Sequence, residues 1–153
     1  MTVLIDFRSW LAPTAPMPFW LGDQSLRRPR LVLIEDDTSI AQMYRLQLVS
    51  DGFEVLLAGD GAEGLRLIGQ ARPDLVLLDI RLPLMQGLDV LKSVQADADL
   101  ARVPVLILSN YGEPGMVQEG LSLGARDYLI KSQTTPIQLS ARVRDFIPND
   151  LAG

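Results

Sequence analysis

Three acidic residues follow the first apolar run of the regular part of the sequence. The run LVLI occupies residues 31–34, and Glu35, Asp36 and Asp37 come directly after it. Asp37, beside Thr38, is of the type that caps a following helix. One cap does not require three acids, and crowded carboxylates have raised pKa values unless a cation neutralises them. Because Mg²⁺ binds a few carboxylates and keeps several waters, Glu35 and Asp36 are candidate metal ligands.

Later apolar runs also end in side chains that can do chemistry. Asp79 follows LVLL, Ser109 follows VLIL, and Lys131 follows DYLI. Lysine is scarce, since only two of the 14 basic residues, Lys92 and Lys131, are lysines. A lysine at this place therefore indicates a need for a compact, mobile point charge. Each of these residues, taken alone, is more often a helix cap or a solvated side chain at a strand end. Taken together, they indicate a functional site.

Strands and helices that would position these side chains alternate along the chain. Apolar runs without alternation are typical of strands buried on both faces. Thr135 followed by Pro136 predicts the start of the last helix. Repeated strand–helix alternation predicts an α/β fold, a doubly wound parallel sheet with helices on both faces, whose sites lie beyond the carboxyl ends of the strands. The predicted strands are 31–34, 54–58, 75–78, 105–108 and 127–130.

Composition restricts the possible functions. The chain of 153 residues has no cysteine and no histidine, which excludes disulfides, thiolate chemistry and a phosphohistidine donor within the chain. Any metal must therefore be held by oxygen ligands. The net charge of −5 argues against direct nucleic-acid binding. No apolar run is long enough to cross a membrane, and the absence of a signal-peptide pattern predicts a cytoplasmic protein.

Residues 1–30 differ from the rest in composition. They hold both tryptophans, Trp10 and Trp20, and four of the ten prolines. Their prolines and lack of periodicity predict an irregular N-terminal arm, either a flexible tail or an arm that docks on a partner or on the domain. The predicted divisions are 1–30 for the arm, 31–147 for the domain and 148–153 for a C-terminal tail. The ending PNDLAG leads us to expect that output occurs through protein contact.

The residues after the strands resemble the receiver domain of two-component response regulators. The motifs are Glu35 and Asp36 after the first strand, LVLLDIRLP with Asp79, Ser109 after the fourth strand, and GARDYLIK ending at Lys131. The resemblance covers residues 31 to about 147. It implies a flavodoxin-like sheet of five strands in the order 2-1-3-4-5.

The resemblance implies phosphorylation of this domain. Asp79 would accept a phosphoryl group from a phosphohistidine on a sensor histidine kinase or phosphotransfer protein. Glu35, Asp36 and Asp79, with the backbone carbonyl of Arg81, would bind one Mg²⁺. The domain would be a signalling module rather than an enzyme, although it would promote its own phosphorylation and dephosphorylation.

The resemblance also implies a switch. Lys131 would contact one phosphoryl oxygen, Ser109 would move to bond another, and Tyr128 would swing into the vacated space. The added charge, about −1.5 to −2 units, would shift the population of a surface formed by helix 4, strand 5 and helix 5. That surface would bind a downstream protein or a second copy of the chain in a homodimer, with no direct partner in nucleic acid or membrane.

Three residues depart from the family pattern. Ser132 stands where a proline usually follows the lysine, and a cis bond before a non-proline residue costs about 2.5–4 kcal/mol, so a different local turn is expected. Asn110 is bulkier than the small residue common after Ser109, which predicts slower access of phosphoryl donors or water. Gln86 replaces the Asp or other small polar residue of many members.

Alternative functions remain open on the sequence. A receiver-like module could bind partners without phosphorylation. A phosphatase of the haloacid dehalogenase type would need a second acid two residues after Asp79, where this chain has Arg81. A nucleotide- or FMN-binding domain would need a phosphate-binding loop after the first strand, and EDDTS has the opposite charge.

Overall fold

A computed structural model describes residues 27–148 of the chain. Residues 1–26 of the predicted N-terminal arm (1–30) and residues 149–153 of the predicted tail (148–153) lie outside this part, and the predicted divisions stay predictions. The strands are β1 (Arg30–Ile34), β2 (Glu54–Ala58), β3 (Leu75–Leu78), β4 (Val105–Ser109) and β5 (Asp127–Ile130). The helices are α1 (Thr38–Ser50), α2 (Gly61–Ala71), α3 (Gly87–Ala96), α4 (Pro114–Ser122) and α5 (Pro136–Arg144).

The five strands form one parallel sheet in the order β2-β1-β3-β4-β5. This confirms the predicted fold class and strand order. In the register, Ile34 of β1 lies opposite Ala58 of β2 and Leu78 of β3, and Ser109 of β4 lies opposite Ile130 of β5. The residues that follow β1, β3, β4 and β5 therefore meet along one edge of the sheet, as parallel pairing requires.

Each face of the sheet carries its own buried apolar layer. Both layers take residues from the same strands, so neighbouring residues such as Val32 and Leu33 are both almost fully buried, which explains the absence of alternation in the apolar runs. One layer packs against α2 and α3 and the other against α1 and α5. These helices contribute buried side chains to each layer: Ile68, Val90, Leu91 and Val94 to the first, and Tyr44, Leu48, Leu139 and Val143 to the second.

Side-chain caps fix where the helices begin. Asp37 accepts a hydrogen bond from the backbone N–H of Ile40 at 3.1 Å, which confirms its predicted role as the cap of α1. Thr135 caps α5 in a capping box with Gln138, in which each side chain bonds the other residue's N–H. Because Asp37 caps α1, its role differs from that of Glu35 and Asp36, which come before it.

Two glycines allow the loop between β3 and α3 to pack closely. A Cβ atom on Gly87 would lie 2.0 Å from the carbonyl oxygen of Asp79, and one on Gly61 would lie 1.9 Å from that of Met85. Real Cβ atoms do not approach backbone this closely, so both positions require glycine. Gly87 thus sets the path of the backbone directly after Asp79.

The turn after Lys131 forms without an unusual peptide bond. Lys131–Gln133 make one 3-10 turn, and the described residues contain no cis peptide bond. Thr134 completes the turn, because its N–H donates to the carbonyl of Lys131 at 3.2 Å and its hydroxyl donates to the carbonyl of Ile130 at 2.8 Å. Ser132 is exposed. The turn that follows Lys131 is therefore held by the hydrogen bonds of Thr134 and not by a proline at position 132. None of the helices in residues 27–148 is long and apolar enough to span a membrane.

Asp74 binds the start of the described chain at the amino edge of the sheet. Its carboxylate accepts two bonds from the guanidinium of Arg27, at 2.8 and 2.9 Å, and one from the backbone N–H of Arg30 at 2.7 Å. Burial raises the pKa of Asp74, but these bonds outweigh burial and hold its pKa below the usual value. The first strand is therefore anchored by an ionised carboxylate.

We expect Gly87→Ala and Gly69→Ala to change the free energy of unfolding in opposite directions. Gly87→Ala should lower the free energy of unfolding by about 1–3 kcal/mol, because the methyl group overlaps backbone atoms that cannot move aside. Gly69→Ala, on an exposed face of α2 with nothing near the added Cβ, should raise it by about 0.5–1 kcal/mol. Urea denaturation measures both values. A Gly87→Ala chain as stable as wild type would contradict the close packing.

We expect the Asp74 carboxylate to make stability depend on acidic pH. Its folded pKa is depressed, so its contribution is fully present above the unfolded pKa of about 3.9 and is lost as pH falls through the lower folded value. Wild type should therefore be more stable than Asp74→Asn above about pH 5, with the difference shrinking in stronger acid. Paired denaturation curves, with Asp99→Asn as an exposed control, test this; a difference that does not change with pH would contradict it.

Candidate functional site

The carboxyl edge of the sheet brings three carboxylates together. Glu35 follows β1 and Asp79 follows β3, and these strands are neighbours, so the two side chains lie side by side. One carboxylate oxygen from each of Glu35, Asp36 and Asp79 lies within 4.8 Å of the others. Glu35 and Asp79 are buried, at 4% and 7% exposure, and Asp36 is exposed. The three acids named from the sequence as metal ligands are thus adjacent, with one side open to solvent.

Lys131 bridges the two buried carboxylates. Its ammonium donates to Oε1 of Glu35 in a short hydrogen bond and to Oδ2 of Asp79 at 2.8 Å. Lys131 follows the edge strand β5, which lies two strands from β3, a separation of about 9–10 Å. A long side chain is needed to cover that distance, and the side chain of Lys131 is only 7% exposed. The edge strand thereby supplies the counter-charge for residues near the centre of the sheet.

The electrostatics of this group leave a negative charge to be neutralised. Burial raises the pKa of Glu35, helped by the nearby charge of Asp79, while the bonds from Lys131 and from the Asp37 N–H oppose the rise. Burial lowers the pKa of Lys131, but its bonds to Asp79 and Glu35 outweigh burial and raise it. With the three acids ionised and one ammonium among them, two negative charges remain, which a divalent cation would balance.

Ser109 and Tyr128 form a second group beside the carboxylates. The side chain of Ser109 is fully buried and accepts a bond from the Tyr111 N–H at 3.1 Å. The Tyr128 hydroxyl donates a short bond to the carbonyl of the same residue, Tyr111. Burial raises the pKa of Tyr128, and the Ser109 hydroxyl opposes the rise. Within residues 27–148 no hydrogen bond joins Ser109 to the three carboxylates, so the expected movements of Ser109 and Tyr128 stay predictions.

Arg81 and Tyr111 form a contact that the sequence reasoning missed. The guanidinium of Arg81 lies over the ring of Tyr111, 4.1 Å from its centre. Each of the two residues stands two positions after a strand-end residue, Asp79 or Ser109, and that shared spacing was the available signal. The backbone N–H of Arg81 donates to Asp79 at 3.4 Å, which keeps the Arg81 backbone beside the carboxylate. The metal-binding role expected of its carbonyl stays a prediction.

Two of the residues that depart from the family pattern are exposed. Asn110 stands between Ser109 and Tyr111. Gln86 precedes α3 and makes no side-chain capping bond.

Known proteins resemble this chain over most of the described fold. The family model of the response regulator receiver domain matches residues 31–144. The DNA-binding response regulator MtrA of Mycobacterium tuberculosis is 40% identical over 117 residues, which cover 76% of this chain and 50% of MtrA. An uncharacterised transcriptional regulatory protein of Bacillus subtilis, YcbL, is 43% identical over 118 residues, with the same coverage of both chains. This chain thus spans about half the length of the curated relatives it matches.

Solved structures show the same fold. The chemotaxis response regulator CheY4 of Vibrio cholerae has a TM-score of 0.73 and 30% identity, over 78% of this chain and 99% of CheY4.

The expectation that nucleic acid is no direct partner is wrong. It rested on the net charge of −5 and on the short ending, whereas a similar protein at 40% identity is named as a DNA-binding response regulator. The charge of one domain does not bear on DNA contacts made elsewhere in a protein, and the match covers only half of that relative. The fold, the matched family model and these relatives together show that the chain belongs to the response regulator receiver family of two-component signalling.

Proposed function

We propose that this chain is a phosphoryl-accepting receiver in which Asp79 is the acceptor. The observation that carries the proposal is that Asp79 is bonded to Lys131 and lies beside the acids Glu35 and Asp36. One oxygen of Asp79 is bound to the lysine ammonium, and the other has only the 3.4 Å contact with the Arg81 N–H within the described residues. That second oxygen is the better nucleophile because it is less engaged.

The transfer reaction is a displacement at phosphorus. An oxygen of Asp79 forms a bond to the phosphorus of a phosphohistidine on a histidine kinase or phosphotransfer protein, and the phosphorus–nitrogen bond breaks. The electron pair of that bond returns to the imidazole, and the product is an aspartyl phosphate. Lys131 already lies 2.8 Å from Asp79, so its ammonium can follow the negative charge onto the phosphoryl oxygens with little movement.

The proposed cofactor is one Mg²⁺ held by Glu35, Asp36, Asp79 and the backbone carbonyl of Arg81. The donor set fits, since these are hard oxygen ligands, and three carboxylates with one ammonium leave two negative charges that a divalent cation would balance. When bound, Mg²⁺ offsets the charge of the transferring phosphoryl oxygens. The exposed Asp36 side chain leaves one side of the group open for waters and for the donor.

Phosphorylation is proposed to bias a surface formed by α4, β5 and α5. Tyr128 belongs to β5 and donates to the carbonyl of Tyr111, which precedes α4 and whose N–H donates to Ser109. A phosphoryl oxygen that takes the Ser109 hydroxyl would disturb its bond with the Tyr111 N–H, and the loop at Tyr111 and the tyrosine bonded to it would repack. The effect is a population shift, so the active arrangement exists at low occupancy without phosphate.

For the output we propose control of DNA binding, on the analogy of the relatives named as DNA-binding response regulators. The DNA-contacting part would respond to the surface of α4, β5 and α5. The alternative, a receiver-like module that acts without phosphorylation, would leave the buried arrangement of Lys131, Glu35 and Asp79 without a chemical role.

We expect one phosphoryl group per chain, on Asp79. Acetyl phosphate with Mg²⁺ should add a single phosphoryl mass to wild type and to Asp89→Asn, whose side chain is exposed on α3, and none to Asp79→Asn. Intact-mass spectrometry, with circular dichroism to confirm folding, measures the result. An adduct that persists on Asp79→Asn would show that another residue is the acceptor. Folded wild type that forms no adduct from either acetyl phosphate or a kinase would support the phosphorylation-independent module.

We expect removal of the Lys131 charge to make the fold depend on a cation. Lys131→Met leaves Glu35 and Asp79 buried side by side, at a cost of about 3 kcal/mol, and should lower the melting temperature in chelator. Mg²⁺ should then raise the melting temperature of this variant more than that of wild type. Lys92→Met, at the exposed second lysine, is the control and should behave as wild type. Equal Mg²⁺ shifts in all three proteins would contradict a shared site.

A further inference from the structure

A groove lies at the amino edge of the sheet, opposite the edge that carries the carboxylates. Its volume is about 520 Å³, within the range of ligand-binding clefts. Its lining residues precede β3, β4 and β5 or follow α5, and the length of β3, about 16 Å from Asp74 to Asp79, separates it from the acceptor. The groove is therefore distinct from the site of the proposed phosphotransfer.

The lining of the groove combines apolar surface with unpaired positive charge. Pro104, Phe146 and Pro148 contribute the apolar surface. Arg102 and Arg126 are exposed, and within residues 27–148 neither forms an ion pair with an acidic side chain. The guanidinium of Arg126 has a long contact, 3.5 Å, with the carbonyl oxygen of Arg102. An occupant can therefore reach both guanidiniums without breaking an ion pair of the described fold.

The acidic residue in the lining does not neutralise these two arginines. Asp74 accepts two bonds from the guanidinium of Arg27 and one from the N–H of Arg30. These bonds hold the pKa of Asp74 below its usual value, so the carboxylate is ionised and paired with Arg27. The charges of Arg102 and Arg126 consequently remain as two positive charges in the groove.

The backbone of the lining offers an occupant little to bond. Three lining residues, Pro73, Pro104 and Pro148, have no N–H. Four others donate their N–H groups to carbonyl oxygens of the fold at 2.7–3.0 Å: Asp74 to Arg30, Val103 to Leu100, Arg126 to Val105, and Phe146 to Val143. The guanidiniums are thus the charged donors available, and recognition must come from the side chains of the occupant.

We propose that this groove binds a segment of a partner protein in which an aspartate or glutamate lies next to an aromatic or aliphatic residue. The carboxylate pairs with Arg102 and Arg126, because a guanidinium can bond both oxygens of a carboxylate. The neighbouring apolar side chain packs on Pro104, Phe146 and Pro148. Nucleic acid fits this lining less well, since it is bound along a longer track of cations and would leave the apolar surface uncovered.

Nuclear magnetic resonance titration of the full-length, ¹⁵N-labelled chain tests this, with N-acetyl-Phe-Glu-amide as the probe. At millimolar concentration the probe should shift the amide signals of Asp74, Val103, Arg126 and Phe146. Arg126→Glu should weaken its binding by about fivefold or more, through reversal of an exposed charge pair. Lys92→Glu, the same charge change at an exposed residue of α3, should leave the affinity unchanged. N-acetyl-Phe-Lys-amide should bind more weakly than the acidic probe.

Each other outcome overturns the proposal. Folded wild type whose groove signals do not move would show that the groove takes no acidic peptide. Equal shifts with the lysine probe, or binding that survives both Arg126→Glu and Arg102→Glu, would show that the arginines do not recognise a carboxylate; the second variant serves if the first fails to fold. The same shifts with inorganic phosphate alone would make the groove a general anion site. Groove signals that move with protein concentration would make a second copy of the chain the occupant.

Discussion

Mutual repulsion among Glu35, Asp36 and Asp79 is the constraint on which the rest of the structure depends. Two of these acids are buried, and buried carboxylates at this spacing are unstable unless positive charge reaches them. Lys131 supplies one charge and leaves room for a divalent ion. The site is thus held in a state that binding of a cation can relieve, and this excess negative charge is the physical basis of its proposed need for a divalent ion.

The fold meets this constraint through its topology. A parallel sheet places all strand ends on one edge, and the order β2-β1-β3-β4-β5 puts the acids at its centre and the lysine at its side. The backbone after Asp79 is then fixed by Gly87, where no side chain fits. The capping of α1 by Asp37 turns the fourth acid away from the metal ligands. Packing of the two apolar layers maintains these positions.

Sequence patterns predicted the strands and the residues at the strand ends, because buried parallel strands and caps have local signatures, whereas the sheet order came from the family resemblance. The contacts that sequence did not predict join residues distant in the chain. The stacking of Arg81 on Tyr111 and the pairing of Arg27 with Asp74 depend on side-chain directions that no local pattern encodes. The error on nucleic acid had another cause, since the charge of one domain was extended to a whole protein.

Calorimetric titration of Mg²⁺ tests the central claim that the crowded acids form one divalent-cation site. Wild type should bind one Mg²⁺, and Asp36→Asn should weaken binding by about tenfold or more through loss of a charged ligand. Asp37→Asn makes the same change from carboxylate to amide at the neighbouring residue. Because asparagine also caps helices, this variant should bind Mg²⁺ nearly as wild type does. Equal affinities in all three proteins would show that the acids serve only as helix caps or solvated side chains at the sheet edge. That result would contradict the claim that they form one divalent-cation site.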